Sequence, residues 1–161
     1  MGGTASRARR HGRPRGLPAW ARWSLVVAWT LFVWSRSLFS GPESSEQSGL
    51  VVALVRPLFV ALGVADVELM TLLVRKTAHF AEYFALGLLL SLTRRRLSGL
   101  PWGQLAYGVA VPCADESIQL LVPGRSAMPT DVLIDSCGMV AGLALGSLLR
   151  RRRAHTRRAR R

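Results

Sequence analysis

Five carboxylates, one imidazole and four cations interrupt stretches of this sequence that are otherwise apolar, and their spacing is helical. Arg75, His79 and Glu82 recur at i, i+4 and i+7 and so share one helix face. Asp115 with Gln119, or Glu116 with Gln119, share a face of a second helix, and Asp131 and Asp135 lie one turn apart on a third. Two chemistries follow from these residue types. Arg75, Lys76 and Arg125 suit an anion, because guanidinium and ammonium groups give charge-assisted hydrogen bonds to phosphate or carboxylate oxygens. Glu82, Asp115, Glu116 and Asp135 would then hold those cations in place. In the alternative, His79 and Glu82 act as acid and base on a lipid-linked phosphate. An imidazole level with carboxylates also resembles a Zn, Mn or Mg ligand set, but the spacing matches no metal motif. Arg75 and Lys76 beside it would repel a cation, so no metal and no cofactor is expected. The plainest reading is a lattice that satisfies itself: four cations (Arg36, Arg75, Lys76, Arg125) nearly balance the five acids (Glu82, Asp115, Glu116, Asp131, Asp135).

What must position these residues follows from composition. The chain has 161 residues, enough for one soluble domain or for about four membrane spans of roughly 20 residues. Half of it is apolar, with a mean hydropathy of +0.25, yet it carries 22 Lys+Arg against 9 Asp+Glu. Fourteen of the 22 cations fall in the first 22 and last 12 residues, which contain no acid. An oily middle with Arg-rich ends excludes a soluble nucleic-acid binder, whose cations must line one folded surface. It fits a membrane protein with polybasic cytoplasmic ends, whose partners are the bilayer and its anionic lipids, with no specific nucleic acid. Cys113 and Cys137 lie in apolar stretches and read as small packing residues, not as a disulfide framework or zinc site.

The expected fold is an all-α integral membrane bundle of four transmembrane helices plus a re-entrant or interfacial apolar segment. Residues 1–19 read as a disordered Arg-rich arm, 20–149 as the membrane domain and 150–161 as an Arg-rich tail. The spans run at about 20–40, 75–93, 101–122 and 131–149, the second with a possible earlier start at 67 and the third kinked at Pro112. Residues 41–49 form a polar loop. Residues 50–65 are apolar but short and broken at Arg56-Pro57, which disfavours a full span. Thr130 or Asp131 caps the fourth span, and the four arginines from 150 close it. Within that span Gly138, Gly142 and Gly146 make a stripe along which another backbone can approach closely, a feature for helix packing within one chain.

Charge sets orientation. With both termini in the cytoplasm, 17 of the 22 cations lie inside; only Arg36, Arg56, Arg75, Lys76 and Arg125 lie outside. At 1.5 Å per residue, Glu82 lies about 10 Å below Arg75, Glu116 about 9 Å below Val122 and Asp135 about 9 Å below Pro129. Carboxylates from three helices thus share one depth. Each costs roughly 2.5 to 3.5 kcal/mol if left in lipid, so they must face inward, around a pocket open to the extracytoplasmic side.

Three stretches, RKTAHFAEYFALG at 75–87, DESIQLLVPGRSAMPTDVLIDSCG at 115–138 and the shorter WSRSLFSG at 34–41, resemble the signature blocks of VanZ-like membrane proteins. The resemblance covers about residues 22–149. It implies a small multi-span protein of the bacterial cytoplasmic membrane, related to the cell envelope or to resistance against the glycopeptide teicoplanin, and it implies no established reaction. The motif positions it marks are Arg75, Lys76, His79, Glu82, Tyr83, Asp115, Glu116, Gln119, Pro123, Gly124, Arg125, Asp131 and Asp135. Arg36 and Gly41 depart from the small or polar residues expected in the first block. The anion in such a protein would be a lipid or a cell-wall precursor. The sequence assigns no oligomeric state.

Overall fold

A computed structural model describes residues 17–94, 99–125 and 127–159. The disordered arm expected over 1–19 falls almost wholly outside the described residues. The described residues form five helices: α1 (Ala19–Ser37), α2 (Gly41–Ala61), α3 (Val67–Thr93), α4 (Trp102–Gln119) and α5 (Pro129–Ala159). There are no strands among the described residues. α3 and α5 form the centre of the bundle and run parallel, with α1 and α4 packed around them.

The glycine stripe explains the parallel pair. A Cβ at Gly138 would meet the Phe80 carbonyl, one at Gly142 the Phe84 carbonyl, and one at Gly146 the Ser91 side chain. The partner positions rise in the same order on both helices, so the two axes travel together and nearly touch. Gly87 of α3 answers from the other side, against the backbone of Met139 and Leu143. Small residues let backbones close in and so gain dispersion contacts that larger side chains would prevent. Around this seam Val26, Val33, Tyr83, Leu86, Leu90, Val111, Met139 and Leu143 form the buried core.

Four expectations are corrected. Residues 41–49 are the first half of α2, not a loop. Ser40 and Glu43 make a capping box, with the Glu43 carboxylate accepting from the Ser40 backbone N–H at 2.8 Å, and Pro42 falls in the first turn, where a missing N–H costs nothing. That nucleus carries the helix through Ser44–Ser48. Hydrogen bonds from the Ser40 side chain and backbone hold the Glu43 carboxyl below its usual range. Nor does Arg56-Pro57 break α2, which runs on to Ala61 past the one lost hydrogen bond. At the other end of the chain, the four arginines do not close α5. It continues to Ala159, because arginine is a good helix former and cations suit a helix C-terminus. α5 also starts at Pro129, ahead of the expected cap, with the Asp131 N–H donating to the Met128 carbonyl at 2.8 Å.

Among the described residues one helix, Pro129–Thr156, is by itself long and apolar enough to cross a membrane. The others carry polar residues within their length: Arg22 and Arg36 in α1, Lys76, His79 and Glu82 in α3, Asp115, Glu116 and Gln119 in α4. Large apolar side chains nonetheless cover the outside of the bundle, Leu31, Leu54, Leu58, Leu72, Val109 and Leu133 among them.

Candidate functional site

At the end of the bundle where α1 and α4 finish and α5 begins, polar side chains from four helices meet. α3 contributes Arg75, His79, Glu82 and Tyr83, and a hydrogen bond from the Trp29 indole of α1 to the Glu82 carbonyl (2.9 Å) pins that stretch. α4 delivers Asp115, Glu116 and Gln119, all buried. α5 supplies Asp131 and Asp135. α1 brings Ser37 and Arg36, and the turn after α4 brings Arg125.

At the centre are His79, Asp115 and Asp135, one from each of α3, α4 and α5. One potential donor atom from each lies within 4.8 Å of the others. The His79 Nδ1 is 3.6 Å from the Asp135 carboxylate, whose side chain is wholly buried. Both Asp135 oxygens, the Asp115 Oδ1, the His79 Nδ1 and the Tyr83 hydroxyl are buried without a hydrogen-bond partner among the described residues. Buried polar atoms are normally satisfied, so five such atoms in one place single this cluster out.

The neighbouring acids have structural tasks. Glu116 accepts from the Met128 N–H at 2.8 Å and from the Gln119 amide at 3.2 Å, tying the 120–128 turn to α4. Gln119 also donates to Asp115 at 3.4 Å. Asp131 pairs with Lys76. Glu82 lies 3.8 Å from Arg36, itself stacked over the Phe39 ring. The expected lattice of four cations and five acids therefore reduces to two Lys/Arg–carboxylate pairs among the described residues, Arg36–Glu82 and Lys76–Asp131.

Beside the central cluster is a cavity of about 100 Å³, lined by Arg36, Arg75, His79, Glu82, Arg125 and Ser37 among others. Since a water needs about 10 to 15 Å³ of such space, the cavity takes several waters or one oxyanion. Arg125 donates from Nε to the Phe39 carbonyl at 3.2 Å, while one of its terminal nitrogens is buried without a hydrogen-bond partner among the described residues. Burial, then the charge of Arg75, pulls the Arg125 guanidinium below its ordinary value. The turn that carries it is fixed by the Gly41 N–H donating to the Pro123 carbonyl at 3.2 Å, and by Gly124, whose φ of +74° an L side chain rarely adopts.

Of the three expected anion contacts, Arg75 and Arg125 reach this cavity and Lys76 does not; it faces a second, smaller cavity with Arg75, Asp131, Met128 and His79. Arg36 takes the third position. In the sequence Arg36 reads only as a pairing cation, at a position where the 34–41 block departs from the residues expected there. Gly138, Gly142 and Gly146 lie on the α3 seam.

No match exists among curated proteins or solved structures. A family model described as VanZ/LLP1 matches residues 22–150, from the first turn of α1 to the start of the arginine run in α5, and so takes in every residue of the site. The chain belongs to the VanZ/LLP1 family.

Proposed function

We propose that this protein is a four-span protein of the bacterial cytoplasmic membrane, with both termini cytoplasmic, whose extracytoplasmic-side pocket binds the anionic group of an envelope component, in a role related to glycopeptide resistance. The observation that carries this reading is the convergence of Arg36, Arg75 and Arg125 on one cavity whose lining holds a single carboxylate, Glu82. Three guanidinium groups sharing a small cavity repel one another, and an anion relieves that repulsion. Arginine also offers paired N–H donors that match two phosphate or carboxylate oxygens. Such groups occur on phospholipids and on lipid-linked wall precursors. The placement of 17 cations on one side supports the orientation, and the apolar exterior supports insertion of α1, α3, α4 and α5. α2, packed on α3 with Leu50, Leu54 and Leu58 exposed, fits the interfacial segment.

A second reading has one observation in its favour. The His79–Asp135 contact resembles the orienting pair of an acid/base catalyst, and His79 lines the cavity. A lipid-linked phosphate held by the arginines would then lie beside a general base, making the protein a membrane-embedded hydrolase or transferase.

Retention of a radiolabelled anionic phospholipid by the purified full chain tests the first reading. Arg125→Lys keeps the charge but loses the fork and should retain less than the wild type, while Arg125→Gln should retain about tenfold less, roughly 1.4 kcal/mol. Equal retention by the wild type and Arg125→Gln overturns the anion pocket. Release of a labelled headgroup that depends on His79 selects the hydrolase. For topology, a reporter active only outside the cytoplasm should work within the 123–128 turn and fail in the 95–98 link; the reverse result overturns the four-span arrangement.

A further inference from the structure

We propose that His79, Asp115 and Asp135 form a binding site for one divalent transition-metal ion, of the Zn2+ or Mn2+ class. The sequence argues against a metal on two grounds, the absence of a ligand motif and the presence of Arg75 and Lys76 beside His79. Metal motifs, however, describe ligands close together in the chain, whereas here each ligand comes from a different helix and only the packing of α3, α4 and α5 unites them.

Geometry, orphaned atoms and charge support the site independently. The three donor atoms lie within 4.8 Å of one another. A tetrahedral ion with bonds of about 2.0 to 2.2 Å separates its ligand atoms by about 3.4 Å, so small side-chain rotations close the gap. The site also has what an acidic cluster alone lacks. Asp115 and Asp135 are both wholly buried, and three of their four carboxylate oxygens have no hydrogen-bond partner among the described residues. The His79 Nδ1 and the Tyr83 hydroxyl are likewise buried without one. As for charge, two carboxylates and a neutral imidazole sum to minus two, which a divalent ion cancels. Of the cations nearby, Lys76 pairs with Asp131 and Arg36 lies against Glu82. Arg75, four residues before His79, stands about 6 Å higher along α3 and lines both cavities.

Ligand chemistry selects the ion. Imidazole nitrogen suits Zn and other borderline ions, while carboxylate oxygen also suits Mn; Ca2+ and Mg2+ prefer oxygen throughout. Three protein ligands leave a coordination position free, and His79 lines both cavities, so solvent reaches the ion's surroundings.

The inference does not rest on the anion pocket, since it uses none of the three arginines. The test uses the full chain in detergent, stripped with a chelator, in a Cys113→Ser/Cys137→Ser background that removes both exposed thiols as adventitious ligands. Titration with Zn2+ alone should give one ion per chain at micromolar or tighter affinity, and metal should raise the unfolding temperature. His79→Gln and Asp135→Asn should each weaken binding at least tenfold, while Arg125→Gln, which breaks the anion reading, should leave it unchanged. Should the cluster variants fail to fold, the thiol-free parent loaded with Zn2+ still decides: X-ray absorption must show imidazole nitrogen and carboxylate oxygen at about 2.0 to 2.2 Å. Absence of stoichiometric binding by the parent, or equal binding by His79→Gln, overturns the site.

Discussion

The two ends of the bundle use charge in opposite ways. At the end where α3 finishes, arginines dominate and most of their donors shown bond to the fold, the Arg22 Nε being buried without a hydrogen-bond partner among the described residues. The Arg94 guanidinium donates to the Ser147 hydroxyl at 3.0 Å and to the Gly99 carbonyl at 2.9 Å; Arg150 donates to the Ser91 and Arg94 carbonyls, the latter at 3.1 Å; Arg22 reaches the Leu92 carbonyl at 2.9 Å. Arg22 and Arg150 thereby cap carbonyls at the C-terminus of α3, where the helix dipole favours positive charge. At the opposite end, acids and a histidine are buried with unsatisfied atoms, beside a cavity ringed by guanidinium groups. Among the described residues the arginine end leaves one buried donor unpartnered, the Arg22 Nε, whereas the opposite end leaves six buried polar atoms so, and the proposed binding belongs to that end.

The comparison predicts a separation of stability from binding. The largest effect belongs to the seam that joins both ends. Gly142→Leu should cost about 3 kcal/mol or more, the upper range for overpacking, because the Phe84 backbone and not a flexible side chain would have to move. Gly103→Leu, with nothing within 4 Å of its Cβ position, should shift thermal unfolding in detergent hardly at all. Comparable melting temperatures for the two variants would show that the α3–α5 contact does not organise the bundle.

At the arginine end, Arg94→Ala should lower stability by about 2 to 3 kcal/mol, since it removes two charge-assisted hydrogen bonds from a side chain that is 7% exposed. Anionic lipid retention should survive under conditions where the variant is folded. Loss of retention with unchanged unfolding would break the division between the two ends.

The smallest effect should come from the Arg36–Glu82 pair at the cavity. At 3.8 Å, with the Arg36 side chain 42% exposed, this pair contributes at most about 1 kcal/mol. A double-mutant cycle on Arg36→Gln and Glu82→Gln measured by thermal unfolding should therefore give weak coupling, whereas Arg36→Gln alone should reduce lipid retention. Coupling well above 1 kcal/mol would assign the pair to the scaffold and make the two ends alike.

Much of the site was legible because helical spacing is. Arg75, His79 and Glu82 were placed on one face by their intervals, and all three line the cavity. The choice between Asp115 and Glu116 was not legible. They are adjacent, about 100° apart around α4, and either shares a face with Gln119. Packing decided: Asp115 turns to His79 and Asp135, while Glu116 turns to the Met128 N–H. Lys76, adjacent to Arg75, was grouped with it by charge alone, although the same rotation carries it to the cavity on the Asp131 side. The α2 start and the α5 end were missed where composition outweighed local signals, the capping box at Ser40 and the helix propensity of arginine.

The sequence by itself determined the helical class, the oily middle between basic ends, the glycine stripe and the helix faces of its polar residues, because these depend on residue type and a period of 3.6. Which faces meet depends on how far each helix is rotated and slid against its neighbours. That was decided only when Gly87, Gly138, Gly142 and Gly146 let α3 and α5 close in parallel, with α4 packed against α5. The meeting of His79, Asp115 and Asp135 is a property of that packing. Their separations in the chain, 36 and 20 residues, contain no trace of it, because local periodicity fixes the direction of a side chain on its own helix and nothing about what stands opposite.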